Sequence, residues 1–180
     1  MRQSTTPKTG GERMAVGHRS AVRAAGAHPL RIPGPVFGAE LETWLPSEGG
    51  TMRLGVGAFD LVVTAASVDA LFAVQVMSRI QPGGCGPVID AEDWLCWLVP
   101  PGTIRHWMDH PFGLCLSGPV EFAVPPQARR EGPGRFWLRP PVRHFTDPSL
   151  LRRVLWRYQP APSPHDVDLP GILSRSVERQ

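Results

Sequence analysis

A chain of 180 residues with 42% hydrophobic and 19% charged residues has the composition of a folded domain with tails, not of a disordered polymer. It contains no run of about 18 apolar residues, so no membrane-spanning helix is expected. Nor does its polar N-terminal stretch contain the apolar core of a secretory signal. Cys85, Cys96 and Cys115 are too few and too irregular for a disulfide framework and point to a reducing cytoplasm.

The net charge of +3 hides an uneven distribution. Residues 1–23 carry +4, residues 24–128 carry −6, residues 129–157 carry +6 from eight arginines against Glu131 and Asp147, and residues 158–180 carry −1. A basic block of this kind suits phosphate or acidic surfaces, or is a solvated arginine face.

Residues 1–23 are polar, basic and aperiodic, and are expected to form a disordered tail. Residues 24–38 hold too much Gly and Pro for regular structure. Residues 39–46 suit a short helix that Pro46 stops. The stretch 53–65 predicts a hairpin or bent strand, with Phe59 to Thr64 as a buried strand. Ser67 is placed to cap a helix over Val68 to Ile80, with Asp69 in its first turn and Leu71, Val74, Met77 and Ile80 as its apolar stripe. The QPGGCGP segment (81–87) breaks it. Strands follow at Val88 to Ile89, Trp94 to Val99, Leu114 to Leu116, Val120 to Val124 and Arg135 to Leu138, with one helical turn within 100–110. A helix over Ser149 to Tyr158 starts near Asp147 or Ser149, and residues 159–180 read as a second disordered tail. The organisation is therefore a tail (1–23), one domain (24–158) and a tail (159–180). The domain is α+β, a small mixed or antiparallel sheet with helices packed on it.

Several constellations carry chemistry. His106 and His110, with Cys96 and Cys115, form the residue set of a Cys₂His₂ zinc site, although the spacing matches no common zinc motif. Cys96 and Cys115 otherwise read as small core residues on apolar strands. Period-2 spacing puts Arg135, Trp137 and Arg139 on one strand face, with Arg143 just beyond. That Arg-Trp-Arg surface suits a nucleic-acid backbone and base, or else is an arginine pair covering a tryptophan. The glycines Gly83, Gly84 and Gly86 make no phosphate-binding loop.

Read in order, GAHPL (26–30), a helix containing Trp44, LGVGAFDLVVTA (54–65), DALFAVQVM (69–77), CWLVPPG (96–102), VEFAVPP (120–126) and GPGRFWLRPP (132–141) resemble the bifunctional DNA primase/polymerase (prim-pol) family of high-GC bacteria, over roughly residues 24–145. The resemblance implies a primase-type α+β fold, templated nucleotide joining with divalent metals, and DNA, nucleotides or replication proteins as partners, with no membrane. The family's acidic metal-binding pair would fall near Val63 and Ala65, its phosphate-contacting His near Cys96, and its further Asp near Cys115 or Gly113. None of these matches a family role, since thiols are poor ligands for magnesium. The resemblance thus implies a degenerate member without a catalytic residue or cofactor; Mg or Mn is expected only if the chain is active. Val63, Cys96 and Cys115 are then expected on neighbouring strands, about 10 Å or less apart. Asp60, the nearest surviving acid, falls on the opposite strand face from Val63. The alternatives are an active primase/polymerase with an unconventional site and a non-enzymatic interaction domain that docks an acidic partner.

Overall fold

Two apolar hexads pair to make the centre of the domain: β2 (Asp60–Ala65) runs antiparallel to β4 (Trp94–Val99), with Asp60 opposite Val99 and Ala65 opposite Trp94. The structure is a computed structural model that describes residues 41, 45–55, 58–118, 120–164 and 173. These belong to one unit, Val36–Gln180. The expectations for the 1–23 tail, GAHPL and Trp44 lie outside the described residues.

Strand β5 (Leu114–Leu116) flanks β2, while β3 (Val88–Asp90) and β7 (Phe136–Arg139) extend the other side, in the order β5-β2-β4-β3-β7 with every pair antiparallel. A separate two-stranded ribbon pairs β1 (Gly50–Arg53) with β6 (Glu121–Val124). The stretch 53–65 is therefore not one hairpin. It divides between two sheets, and the break falls at Gly55, whose φ of +72° excludes a side chain, as does the backbone of Gly118, whose N would lie only 2.4 Å from a Cβ at this position.

The central strands are buried on both faces, which is why they read as continuous apolar runs. Leu61, Val63, Cys96, Leu98, Ile89 and Trp137 face one core with Phe122 and Val124 of the ribbon. Val62, Leu95, Trp97, Val99 and Cys115 face a second core under the helices. The fold is α+β, a helix layer and a ribbon packed on opposite faces of a five-stranded sheet.

Helix α1 (Val68–Ile80) starts where expected, with Ser67 Oγ accepting from Ala70 N at 3.2 Å. Its buried stripe differs from the expected one: Ala70, Ala73, Val74 and Met77 are buried, whereas Leu71 is 41% and Ile80 48% exposed. A spacing of three turns about 300° per step, so the stripe Leu71, Val74, Met77, Ile80 drifts across half the helix circumference. The spacing 3, 1, 3 of Ala70, Ala73, Val74 and Met77 stays on one side, and the two alanines let the helix lie close on the sheet.

Helix α2 (Pro148–Tyr158) is capped by Asp147, whose carboxylate accepts from Ser149 N and Leu150 N. The Gln81 side chain joins the ends of the two helices, donating to Phe145 O and accepting from Asp147 N, both at 2.9 Å. Residues 159–164, expected to open the C-terminal tail, run along the body: Pro160 and Pro164 are buried and Ser163 N donates to Pro111 O. Leu173 packs against the ribbon-side core. Among the described residues no helix is long and apolar enough to cross a membrane.

The buried and exposed sides of α1 make opposite predictions. Met77→Ala should cost about 2–5 kcal/mol. Ile80→Ser should cost less than about 1 kcal/mol, as surface substitutions do. Urea midpoints of the two variants test the assignment, and equal losses would contradict it.

Candidate functional site

The expected Arg135, Trp137, Arg139 face does not form. In β7, Trp137 pairs with Ile89 but Arg139 pairs with Val88, so Leu138 is an extra residue and the strand carries a β-bulge. Trp137 points into the ribbon-side core, 1% exposed, with its indole N–H donating to Pro125 O at 3.2 Å. It offers no ring to a base.

Arg135 lies across the Phe122 ring, 5.0 Å from its centroid, and donates to Ala123 O. Past the bulge, Arg139 is turned to the helix side, where its Nε is buried without a hydrogen-bond partner among the described residues. Arg143 is exposed. Period-2 reasoning missed this division because a bulge inverts every later side chain in the strand.

At the positions where the resemblance puts the metal site, Val63 and Cys96 are directly paired, both 0% exposed, on the face covered by the ribbon; Ala65 is opposite Trp94. Cys115 lies on the next strand but pairs with Val62 and faces the helices. The adjacency of strands is as expected, but the three residues do not gather on one face. Gly113 is on the helix side too, since a Cβ there would meet Leu155 at 2.9 Å and Val62 at 3.3 Å. Burial pushes the Cys96 thiol up to about 12, and burial together with the Asp60 carboxylate does the same for Cys115. Burial also raises Cys85, to about 11, against the pull of Arg139. Such thiols carry no thiolate at neutral pH and are inert. The Cys₂His₂ set is likewise divided, with Cys96 and Cys115 on opposite sides of the sheet. Among the described residues no three His, Cys, Asp or Glu side chains cluster to hold a metal ion.

Asp60 faces away from Val63, as strand alternation requires. It is fully buried, and its two oxygens accept from Ile104 N at 3.1 Å and Ser117 Oγ at 2.7 Å. The carboxylate thereby caps the 3-10 turn Thr103–Arg105, whose own N-cap is Gly102 and supplies no side chain. These two contacts give the Asp60 side chain a structural role.

His110, 7% exposed, sits among Trp107, Phe112 and Trp156, with its ring 4.9 Å from that of Trp156. Its Nδ1 accepts from Phe112 N at 3.2 Å, so the neutral ring carries its proton on Nε2, which has no partner among the described residues. Burial, then the nearby Arg152, holds its pKa below the ordinary 6.5. Aromatic packing, not ligation, explains why this histidine is buried.

What sequence reasoning missed is the outer surface of the helix layer. On α1, Val68 is 82%, Leu71 41%, Phe72 43% and Ile80 48% exposed; on α2, Trp156 is 48% exposed. A groove of about 310 Å³ between the helices is lined by Val76, Ile80, Leu150, Arg153, Arg157 and Tyr158, among others. A second, of about 450 Å³, lies between α1 and β7, lined by Leu71, Gln75, Arg79, Leu138 and Arg139. The signal was present in the sequence: α1 has apolar residues on all sides, more than one buried face needs.

Comparison of the chain with models of protein families, with curated proteins and with solved structures gives no significant match.

Two predictions follow from the buried polar groups. Asp60→Ala strands two donors and should cost about 1–3 kcal/mol by urea unfolding, whereas a surface carboxylate would cost almost nothing. His110 favours its neutral form in the fold, so its contribution is present above pH 6.5 and is lost as pH falls below that value, where the unfolded chain takes up the proton first. The thermal midpoint should drop between pH 7.5 and 5.5, and His110→Phe should reduce that drop; an unchanged pH dependence would contradict the assignment.

Proposed function

We propose that this protein is a non-catalytic binding module, a degenerate relative of the DNA primase/polymerase family, that engages a nucleic-acid or replication-associated partner in the cytoplasm. The observation that carries this reading is the direct pairing of Val63 with Cys96 in a sealed core, where the resemblance would put a carboxylate and a phosphate-contacting histidine. Val63 and Ala65 have no donor atom, and Cys96 is a buried, protonated thiol. Hard divalent cations need oxygen ligands, and phosphoryl transfer needs them arrayed around the reacting oxygens. The residues at these positions do not fit Mg or Mn, and no reaction step is derived through either.

Binding is the reading left for a scaffold with an arginine-rich exterior. With Trp137 in the core, contact with a nucleic acid runs through guanidinium groups on phosphates and not through base stacking. Arg129, Arg130 and Arg143, all exposed on the segments flanking β7, are the residues assigned to that contact. The three buried cysteines remain thiols, which accords with a reducing compartment.

Purified protein with a primed template, Mg or Mn and all nucleotides should extend nothing; extension that survives repurification would overturn the non-catalytic reading. In fluorescence anisotropy with single-stranded and duplex DNA at two salt concentrations, the triple change Arg129→Ala, Arg130→Ala and Arg143→Ala should flatten the salt slope by about 2–3 units. Because exposed charges contribute little, it should leave the thermal midpoint nearly unchanged. Binding that is absent or independent of salt would rule out the nucleic-acid partner.

A further inference from the structure

We propose that the outer face of α1 and its two flanking grooves form a docking surface for an acidic amphipathic helix of a partner protein. The site is separate from the arginines flanking β7, and the inference goes beyond the nucleic-acid reading.

The geometry starts from the helix itself. With Ala70, Ala73, Val74 and Met77 on the sheet, a step of 100° per residue puts Val68, Phe72, Gln75 and Arg79 on the outermost line. Leu71 falls on the β7 flank and Val76 and Ile80 on the α2 flank, the same flanks whose grooves they line. Helix α1 is thus a ridge between two grooves, apolar at Val68 and Phe72 and polar at Gln75 and Arg79. Phe72 meets Tyr158 edge-on at 5.1 Å, which extends the apolar surface across to α2. A groove between two helices accepts a third helix through anchors at i, i+3, i+4 and i+7.

Charge selects the occupant. Each groove has a pair of arginines, Arg153 and Arg157 on one side and Arg79 and Arg139 on the other. Arg153 and Arg157 are one helical turn apart, a spacing that carboxylates on an apposed helix can match. The two helices together carry four arginines and only one acid, Asp69. A second copy of the chain would bring arginines against arginines, which disfavours self-association through this face. The chain's own segments fit no better: residues 1–23 carry +4, and beyond α2 the chain bonds to Pro111 and sets Leu173 on the ribbon-side core. A helix with an apolar stripe and glutamates on either side satisfies both the groove and its rim.

The test uses the full chain and two fluorescent synthetic helical peptides of about 18 residues, or five turns. Both carry the same leucine stripe, flanked by glutamates in one and by lysines in the other. The glutamate peptide should bind saturably, about tenfold or more tighter than the lysine peptide, a difference of about 1.4 kcal/mol. Phe72→Ser with Ile80→Ser should weaken it by about tenfold or more, the loss expected when interface anchors are removed. Arg153→Glu with Arg157→Glu should reverse the preference between the peptides. Circular dichroism of each variant establishes that it is folded.

Equal affinity for both peptides, no binding, or affinity unaffected by the serine changes would overturn the proposal. So would a dimer in sedimentation that Phe72→Ser dissolves, or a preference for phosphatidylserine vesicles over the peptide. The triple alanine variant at Arg129, Arg130 and Arg143 should bind the glutamate peptide normally, so failure here and failure of the nucleic-acid reading are separately visible.

Discussion

The pairing of β2 with β4 sets the place of every other element in the domain. Both strands are buried on both faces, so each alternate residue supplies a different core, and a one-residue slip would exchange the two cores. The register is held from within by a polar contact: the Trp97 indole N–H donates to Thr64 Oγ at 3.1 Å, so two fully buried residues on adjacent strands are satisfied only in this alignment. The helices and the ribbon are then coverings, each with a face shaped to one side of the same sheet.

That arrangement decides where function can reside. Val63 and Cys96 are consumed by packing, and two of the polar groups inside are held by hydrogen bonds: Asp60 accepts from Ile104 and Ser117, and His110 accepts from Phe112 within its aromatic box. The core is therefore committed to stability. Unspent chemistry lies outside, where arginines and large apolar side chains share the helix layer. An exposed apolar surface rimmed by charge is characteristic of an interaction site, and the β7 bulge contributes to it by turning Arg139 toward α1.

Much of this was legible in the sequence. Continuous apolar runs marked β2 and β4, Ser67 marked the start of one helix and Asp147 or Ser149 that of the other, because those signals are local; Asp147 is the cap. The burial of Cys96 and Cys115 followed from their apolar strands, and the placing of Asp60 on the opposite strand face from Val63 followed from alternation. Two of the misreadings come from tertiary events with no local signature. The partner of β1 is β6, some seventy residues away, so 53–65 could not be recognised as two strands in two sheets. The extra residue Leu138 inverted Arg139, and no propensity marks a bulge there. The stripe of larger side chains on α1 drew the eye from its alanines, yet a close helix–sheet contact needs the small residues. The exposed apolar side of α1 escaped notice because a helix apolar on every side looks fully buried until its neighbours are known.

Val63 and Cys96 lie in a core that is sealed in the native protein. Native-state thiol labelling with peptide mapping, followed as a function of urea, reads this directly at Cys96. Labelling of Cys96 should occur only through global unfolding, with an opening free energy equal to that of the whole domain and in step with Cys115 on the opposite face. Rapid labelling of Cys96 in native buffer, at a rate independent of urea and separate from that of Cys115, would mean that this face is open and would contradict the account.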